Sequence, residues 1–326
     1  MSSRWFNVAV VLLWLGSMGW LISTRVMPAL LLGEPPNYQT ILDARQDEPA
    51  VAWQMGWQNR QMGWALSNTQ ELPTGMTEVH SLVRFDDLPL GEMAPGWLRP
   101  MLRGDGLSDF HLANVDLDSI LVFDPLGHLS RFESALRFQP GEDAIKVTGT
   151  IDSGVLALTF RAGEVRYESQ MPISQKSMLG DAFSPETRLP GLREGQAWTI
   201  EVFSPLRPAS DPLEVIQARV ERMERIAWQD ELVDVWLVVY RKSTGAGLAR
   251  DLPQAKLWVR TDGMVLKQQV SFLGAEMVFV RLPEDRAAEI ADRVEKERAK
   301  RDRQTRPRTS ADADQNADDS PGAARI

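Results

Sequence analysis

The sequence contains no cysteine among its 326 residues. Disulfide bridges, thiolate nucleophiles, zinc sites built on cysteine and a lipid-modified N-terminal cysteine are therefore all excluded. Histidine is scarce too, and the three copies lie on separate predicted strands or loops without the spacing of metal ligands: His80, His111 and His128. We interpret each as an ordinary histidine. The sequence accordingly indicates no catalytic residue, no metal site and no cofactor.

Positive charge is also in short supply, because 36 Lys and Arg stand against 45 Asp and Glu, which gives a net charge of -9. A polyanion would be repelled over most of such a surface, so nucleic acid is not expected as a partner. Tyrosine is rare, with 3 copies against 11 Trp. Tryptophan suits both membrane interfaces and the large cores of sheets.

Long apolar runs are missing except at the N-terminus, where residues 5–23 are almost all apolar. A helix of that length reaches roughly 28 Å, about the hydrocarbon thickness of a bilayer. We interpret residues 1–32 as an uncleaved transmembrane anchor with its flank, anchored by the indoles of Trp5, Trp14 and Trp20. A cleaved signal peptide is the main alternative, but no A-x-A-like cleavage site closes the segment. A buried soluble helix fits less well because no polar face is present.

The charges that flank this segment predict its orientation. Arg4 and the amino terminus precede it, and the charged residues that follow Arg25 are mainly acidic: Glu34, Asp43, Asp47 and Glu48. Since positive charge is retained on the cytoplasmic side, we predict a single-pass protein with a cytoplasmic N-terminus. The bulk of the chain would lie in the periplasm or the extracellular space. Residues 33–49, rich in Gly, Pro and Asp, are interpreted as a tether.

Residues 50–282 carry short apolar runs about a dozen residues apart, separated by turn residues, which is typical of a meandering antiparallel sheet. A two-residue turn at Asn59 and Arg60 would pair the flanking strands and place six large apolar residues on one face. Trp53, Met55 and Trp57 would then oppose Leu66, Trp64 and Met62. Gly56 would oppose Gly63, which favours a bend or a close backbone approach.

Other segments of this region carry signals of their own. Residues 124–127 predict a type I turn with a left-handed glycine, and Asp262 with Gly263 predicts a type I′ hairpin turn. Residues 232–240 are apolar on nearly both faces, as expected of a central strand. Residues 211–228 fit both a capped helix and an alternating strand, so their structure is left open.

Residues 88–103 are interpreted as an apolar loop that contains Trp97 and several Gly and Pro.

The C-terminal part of the chain is more polar than the rest. Residues 283–302 predict a charged helix with a thin apolar stripe, and residues 303–326 lack the apolar content to order themselves. The stripe consists of Ala287, Ile290, Ala291 and Val294.

Three segments carry a family resemblance: FDPLGHLSRFES at 123–134, PGLREGQAW at 190–198 and WVRTDGMVLKQQVS at 258–271. They resemble uncharacterised bacterial exported β domains, which are similar in turn to the lipoprotein-carrier half-barrel. The resemblance implies a strongly curved antiparallel sheet that wraps a short helical plug and offers an apolar concave face. It covers roughly residues 50–282, and it implies no catalytic residue.

The fold expected from these signals is mainly β, a curved antiparallel sheet or half-barrel with one N-terminal transmembrane helix and a C-terminal charged helix. Because two of the turn and strand units are similar, an internal duplication into lobes near 50–172 and 190–282 is also considered.

The preferred functional hypothesis is a membrane-anchored, non-enzymatic envelope protein that binds an apolar ligand, a lipid or a partner segment, or acts as a scaffold. The candidate ligand-binding residues are Trp53, Met55, Trp57, Met62, Trp64 and Trp97. A Trp and Met stripe can equally be ordinary core. The alternative hypothesis is an envelope hydrolase or enzyme accessory domain whose carboxylates converge in three dimensions, with pairs such as Asp116 and Asp118 as examples.

Overall fold

The structure is a computed structural model, and its description covers eleven stretches of the chain. They are residues 12–20, 38–44, 48–58, 60–89, 111–138, 145–174, 178–179, 184–203, 213–242, 253–272 and 275–305. Trp5, Trp97 and the tail beyond residue 305 lie outside the described residues, so the predictions made for them stay predictions.

Within these stretches the strands form one large sheet, which confirms the prediction of a mainly β fold. The strands are β1 (Val51–Trp57), β2 (Arg60–Glu71), β3 (Thr77–Pro89), β4 (His111–Phe123), β5 (Leu129–Arg137), β6 (Ile145–Asp152), β7 (Val155–Ala162), β8 (Val165–Pro172), β9 (Met178–Leu179), β10 (Ala197–Phe203), β11 (Leu213–Trp228), β12 (Glu231–Lys242), β13 (Pro253–Arg260), β14 (Val265–Phe272) and β15 (Ala275–Arg281). Their spatial order is β8-β7-β6-β5-β4-β3-β2-β1-β15-β14-β13-β12-β11-β10-β9. Neighbours are antiparallel except the short pair β9 and β10.

The sheet is built from two meanders that meet at its centre. The first runs outward from β1 to β8, the second runs inward from β9 to β15, and β1 pairs with β15. The first meander spans residues 51–172 and the second residues 178–281, and the two form one continuous sheet.

The sheet is strongly curved. Five residues separate Pro172 at one border from Met178 at the other, so the two Cα atoms are at most about 21 Å apart. Across the interior, the rings of Phe132 on β5 and Phe203 on β10 lie 6.2 Å apart between centroids. Strands that are distant in the sheet order therefore share one inner core.

A short helix fills part of that interior. Residues 12–20 form a first helix, α1, and Tyr38–Asp43 form the second, α2. Ile41 and Leu42 of α2 are only 2% and 5% exposed, and each joins a different apolar cluster of the inner face. The stretch interpreted as a tether at 33–49 therefore includes a helix that is packed into the domain. The Gly, Pro and Asp content of this stretch did not indicate a packed helix.

The hairpin of β1 and β2 differs from its predicted register. Trp57 pairs with Arg60 and Gly56 with Gln61, and the register then shifts so that Met55 faces Gly63. Because strand side chains alternate, a slip of one residue moves them to the other face. Trp64 and Leu66 consequently lie on the outer face, in the opposite layer from the Trp and Met residues of β1.

The outer face carries the last helix. Glu284–Thr305 form α3, where the sequence predicts a charged helix, and Glu284 and Asp285 occupy its first turn as the helix dipole favours. The predicted stripe faces the sheet, with Ala287 and Val294 buried and Ile290 and Ala291 packed beside them. Their partners are Ala52, Leu66 and Leu82 of β1, β2 and β3.

The ambiguous segment at 211–228 is strand β11, which pairs with β10 on one side and β12 on the other. Two rows of backbone hydrogen bonds outweigh the local preference for a capped helix.

The turn at Asp262 and Gly263 differs from the prediction. Only Gly263 has a positive φ, +89°, and its N–H donates to the carbonyl of Arg260. The turn is therefore of type I followed by a left-handed glycine, as it is at Gly127.

The first helix bears on the predicted transmembrane anchor. In α1, Trp14 and Trp20 are 59% and 69% exposed. No helix in the described part of the chain is both long enough and apolar enough to cross a bilayer.

Candidate functional site

Four of the six candidate ligand-binding residues come together on the inner face. Trp53, Met55, Trp57 and Met62 are all buried in one apolar cluster. Since their side chains are packed against neighbouring strands, they form a wall of the interior and present no open groove of their own.

Trp64 is separated from this group by the register of the hairpin. It lies on the outer face, where the guanidinium of Arg84 stands 5.2 Å from its ring centroid. It also packs with the cluster that holds α3 to the sheet. Trp64 thus contributes to the attachment of the helix.

A partly open space of about 120 Å³ lies next to α2. Its walls come from α2, from the segment before β10 and from strands β10, β12, β13 and β14. The lining residues are Ile41, Glu186, Leu189, Trp198, Ile200, Tyr240, Ala255, Leu257 and Gln268. We call this space the inner pocket.

The strand register explains why these residues share one wall. Tyr240 lies directly opposite Ala255, and Leu257 lies directly opposite Gln268. Opposed residues of paired strands point to the same face. The ring of Trp198 meets that of Tyr240 edge to face at a centroid distance of 6.4 Å. An aromatic corner therefore closes the pocket on the side of β10 and β12.

Three polar groups interrupt the apolar lining. Gln268 accepts a hydrogen bond of 3.0 Å at Oε1 from the backbone N–H of Glu186. Burial raises the pKa of the Tyr240 phenol far above its ordinary value, and the negative charge of Glu186 acts in the same direction. The phenol therefore stays protonated and can donate a hydrogen bond at any physiological pH. The pocket is suited to an apolar group that carries a single polar atom.

The sequence held partial signals for this site. Trp198 closes the PGLREGQAW segment, and Tyr240 is one of 3 tyrosines in the chain. Nothing local, however, indicated that they meet, because β10 and β12 are brought together only through the intervening β11.

A buried ion pair lies near the start of β1. The side chains of Arg281 and Glu48 are each 7% exposed, and Arg281 Nη2 lies 2.5 Å from Glu48 Oε1. Arg281 Nη1 also donates to the carbonyl of Thr187 at 3.1 Å. Burial lowers the pKa of Arg281, and the attraction of Glu48 opposes that effect. The pair ties the chain before β1 to the end of β15.

The carboxylates of Asp116 and Asp118, the example of an acid pair taken from the sequence, are engaged by arginines. Asp116 is bonded by Arg84, and Asp118 lies 3.2 Å from both Arg137 Nη1 and Arg298 Nη2. Two of the histidines lie beside carboxylates, with His80 Nε2 3.1 Å from Glu78 Oε1 and His128 Nδ1 3.2 Å from Asp124 Oδ2. Among the residues with described side chains, no cluster of three or more His, Asp or Glu is arranged to hold a metal ion.

Comparison with known proteins gives distant structural similarities. No protein-family model matches the sequence, and no curated relative matches it either. A β-barrel-like protein from Brucella abortus, described as a domain of unknown function DUF1849, is similar over 72% of this chain and 94% of its own, with 8% identity and a TM-score of 0.43. A DUF1089 family protein from Pseudomonas aeruginosa is similar over 62% of this chain and 87% of its own, with 17% identity and a TM-score of 0.30.

Proposed function

We propose that this protein is a membrane-tethered, non-enzymatic binding domain, a half-barrel that takes an apolar group into the inner pocket. The observation that carries the proposal is the partly open apolar space beside α2, with the protonated phenol of Tyr240 and the amide of Gln268 in its wall. Apolar walls with a few converging polar groups are the usual composition of a small-molecule site.

The size of the pocket limits what it can take. Its volume of about 120 Å³ is below the ~300–1,000 Å³ typical of sites for whole drug-sized ligands. It is comparable to the cavity of ~150 Å³ that accommodates a benzene-sized molecule in an apolar core. The expected occupant is therefore the end of an acyl chain or a small ring, with the rest of the molecule outside the pocket.

The proposed tether rests on the N-terminal segment. Its apolar residues continue through α1, where Leu13, Trp14 and Leu15 are each more than half exposed. A bilayer would cover such a surface, and the flanking charges favour a cytoplasmic N-terminus. The absence of cysteine provides a clean test, since a single engineered cysteine is the only thiol. A membrane-impermeant maleimide should label Leu126→Cys in intact cells and Ser3→Cys only after lysis; the reverse pattern would contradict the orientation.

The binding proposal is tested by native mass spectrometry of the full chain extracted from its own membrane in mild detergents. We expect a retained apolar molecule in the unaltered protein and its loss from Ala255→Leu, which fills the pocket. Ala227→Leu is the matched control, because Ala227 is exposed on β11 and its enlargement leaves the pocket unchanged. Retention of the same molecule by Ala255→Leu, or no retained molecule in any mild detergent, would contradict the proposal.

A further inference from the structure

One border of the sheet is an exposed strand. Within the described residues β8 pairs with β7 alone. Val165 and Tyr167 are 63% and 48% exposed, and the alternation of a strand places both on the same face. Such a border presents a row of backbone donors and acceptors to any strand of matching register.

Among the described residues, this border has no bulge and no proline inside the strand to protect it against pairing. Protected edges carry bulges, inward charges or prolines within the strand. The pairing of β7 with β8 runs without a register shift, and Pro172 is the last residue of β8. The charged residues of β8 are Arg166 and Glu168, whose side chains are about 60% exposed and lie 2.5 Å apart. The strand therefore carries no net charge that would repel an identical strand.

We propose that β8 pairs antiparallel with β8 of a second copy of this chain, about a two-fold axis opposite Tyr167. In that register the positions of opposed residues add to 334, so Arg166 faces Glu168 of the second copy and Glu168 faces its Arg166. Val165 faces Ser169, and the two Tyr167 rings lie side by side. A two-fold interface repeats every contact, so both charge pairs form together.

The neighbouring register is disfavoured by the same charges. Centring the axis on Glu168 would place two carboxylates directly opposite each other, and like charges in that position destabilise a strand pair. The charges of β8 thus favour an axis at Tyr167 over an axis at Glu168. The joined border would turn two curved sheets into one continuous sheet across the dimer axis.

The interface consists mainly of one strand from each copy. The surface area that it buries is therefore expected to be smaller than the ~1,200–2,000 Å² of a stable specific complex. A dimer of this kind dissociates readily on dilution, so covalent capture is the appropriate measurement. Opposed Cα atoms in an antiparallel pair are about 4.5–5.5 Å apart, within the range that a disulfide can bridge. The cysteine-free chain makes each engineered thiol unambiguous.

The experiment uses the full chain carrying Tyr167→Cys, oxidised in the membranes of the cells that make it. We expect a covalent dimer of twice the chain mass, whereas the exposed controls Leu126→Cys and Leu232→Cys remain monomeric. Val165→Cys and Ser169→Cys should cross-link when the two variants are co-expressed and not when either is expressed alone. A Tyr167→Cys product of a different mass, or equal capture by the controls, would overturn the proposal.

Charge exchange tests the register itself. In the Tyr167→Cys background, Arg166→Glu or Glu168→Arg alone should reduce dimer capture about five-fold, because each places like charges opposite each other twice. The double variant carrying both changes should restore it. Circular dichroism should be identical throughout, since both positions are exposed. Failure of the double variant to recover, or stronger capture by Glu168→Cys than by Tyr167→Cys, would overturn the register and with it the proposal.

Discussion

The guanidinium of Arg84 donates two hydrogen bonds to the carboxylate of Asp116, with Nε 2.7 Å from Oδ1 and Nη2 2.9 Å from Oδ2. Nη2 also lies 3.0 Å from Glu297 Oε2 on α3. The hydrogen bond with Asp116 raises the pKa of Arg84, burial opposes that rise, and Glu297 adds to it. One side chain therefore connects β3, β4 and the C-terminal helix.

Arg84→Met should destabilise the domain by about 1.5–3 kcal/mol, because it removes charge-assisted hydrogen bonds and leaves Asp116 with a buried charge to satisfy. Urea unfolding at neutral pH measures the change. Arg286→Ala, on α3, is the control. Its pair with Glu289 is exposed, so a loss of no more than about 0.5 kcal/mol is expected. Equal losses in the two variants would contradict the connecting role of Arg84.

The two glycines of the first hairpin should respond oppositely to alanine. A Cβ on Gly63 would lie 1.9 Å from the backbone oxygen of Arg84, whereas a Cβ on Gly56 meets nothing closer than 3.4 Å. Gly63→Ala should therefore cost about 3 kcal/mol, since the backbone of β3 would have to move. Gly56→Ala should stabilise by about 0.5 kcal/mol, because alanine loses less backbone freedom on folding. Thermal unfolding of both variants checks the contrast, and a mild effect at Gly63 would be inconsistent with so close an approach.

A second cavity, of about 260 Å³, lies between α3 and the outer face of β2 and β3. Ala291 lines it, whereas Ala287, one turn earlier, is fully packed. Ala291→Leu should raise the free energy of unfolding by about 0.5–2 kcal/mol by filling space. Ala287→Leu should lower it by about 1–3 kcal/mol by overpacking. Denaturant titration distinguishes them, and the same sign in both would show that the helix does not sit as described.

The acid sensitivity of the turn between β13 and β14 depends on Asp262. The hydrogen bond from Arg260 lowers the pKa of Asp262, burial opposes it, and the N–H of Met264 assists. Because the folded pKa is below the unfolded one, the stabilisation is present above the ordinary aspartate pKa of about 3.9 and is lost as the pH falls through the lowered value. Asp262→Asn should cost about 0.5 kcal/mol at pH 6 for this half-exposed pair and progressively less as the pH falls through the lowered pKa. A cost that does not change with pH would contradict the assignment.

Local signals were enough to predict part of this fold. The left-handed Gly127 closes the β4–β5 turn as its sequence indicates, and the stripe of α3 from Ala287 to Val294 faces the sheet at the spacing the sequence shows. Each signal involves residues within a few positions of one another, so chain chemistry alone determines the outcome.

Features that depend on distant strands could not be predicted in this way. The register shift beside Met55 and Gly56 moves Trp64 to the outer face, and it coincides with the approach of Gly63 to the backbone of β3. The inner pocket needs Ile41, Trp198 and Tyr240 to converge from three elements. The spacing of residues within one segment cannot predict that side chains from three elements line the same pocket.

The pairing of β1 with β15, in which Trp53 lies opposite Arg281, has a consequence for biogenesis. β15, which completes the centre of the sheet, emerges from the ribosome after the other described strands, so one side of β1 stays uncovered while those strands are synthesised. Contacts of such long sequence separation form slowly, and domains with uncovered strands are prone to aggregate while incomplete. A nascent chain that ends before residue 275 would leave β1 unpaired on one side and expose apolar side chains at the centre of the sheet. Such a chain would be a substrate for proteolytic quality control.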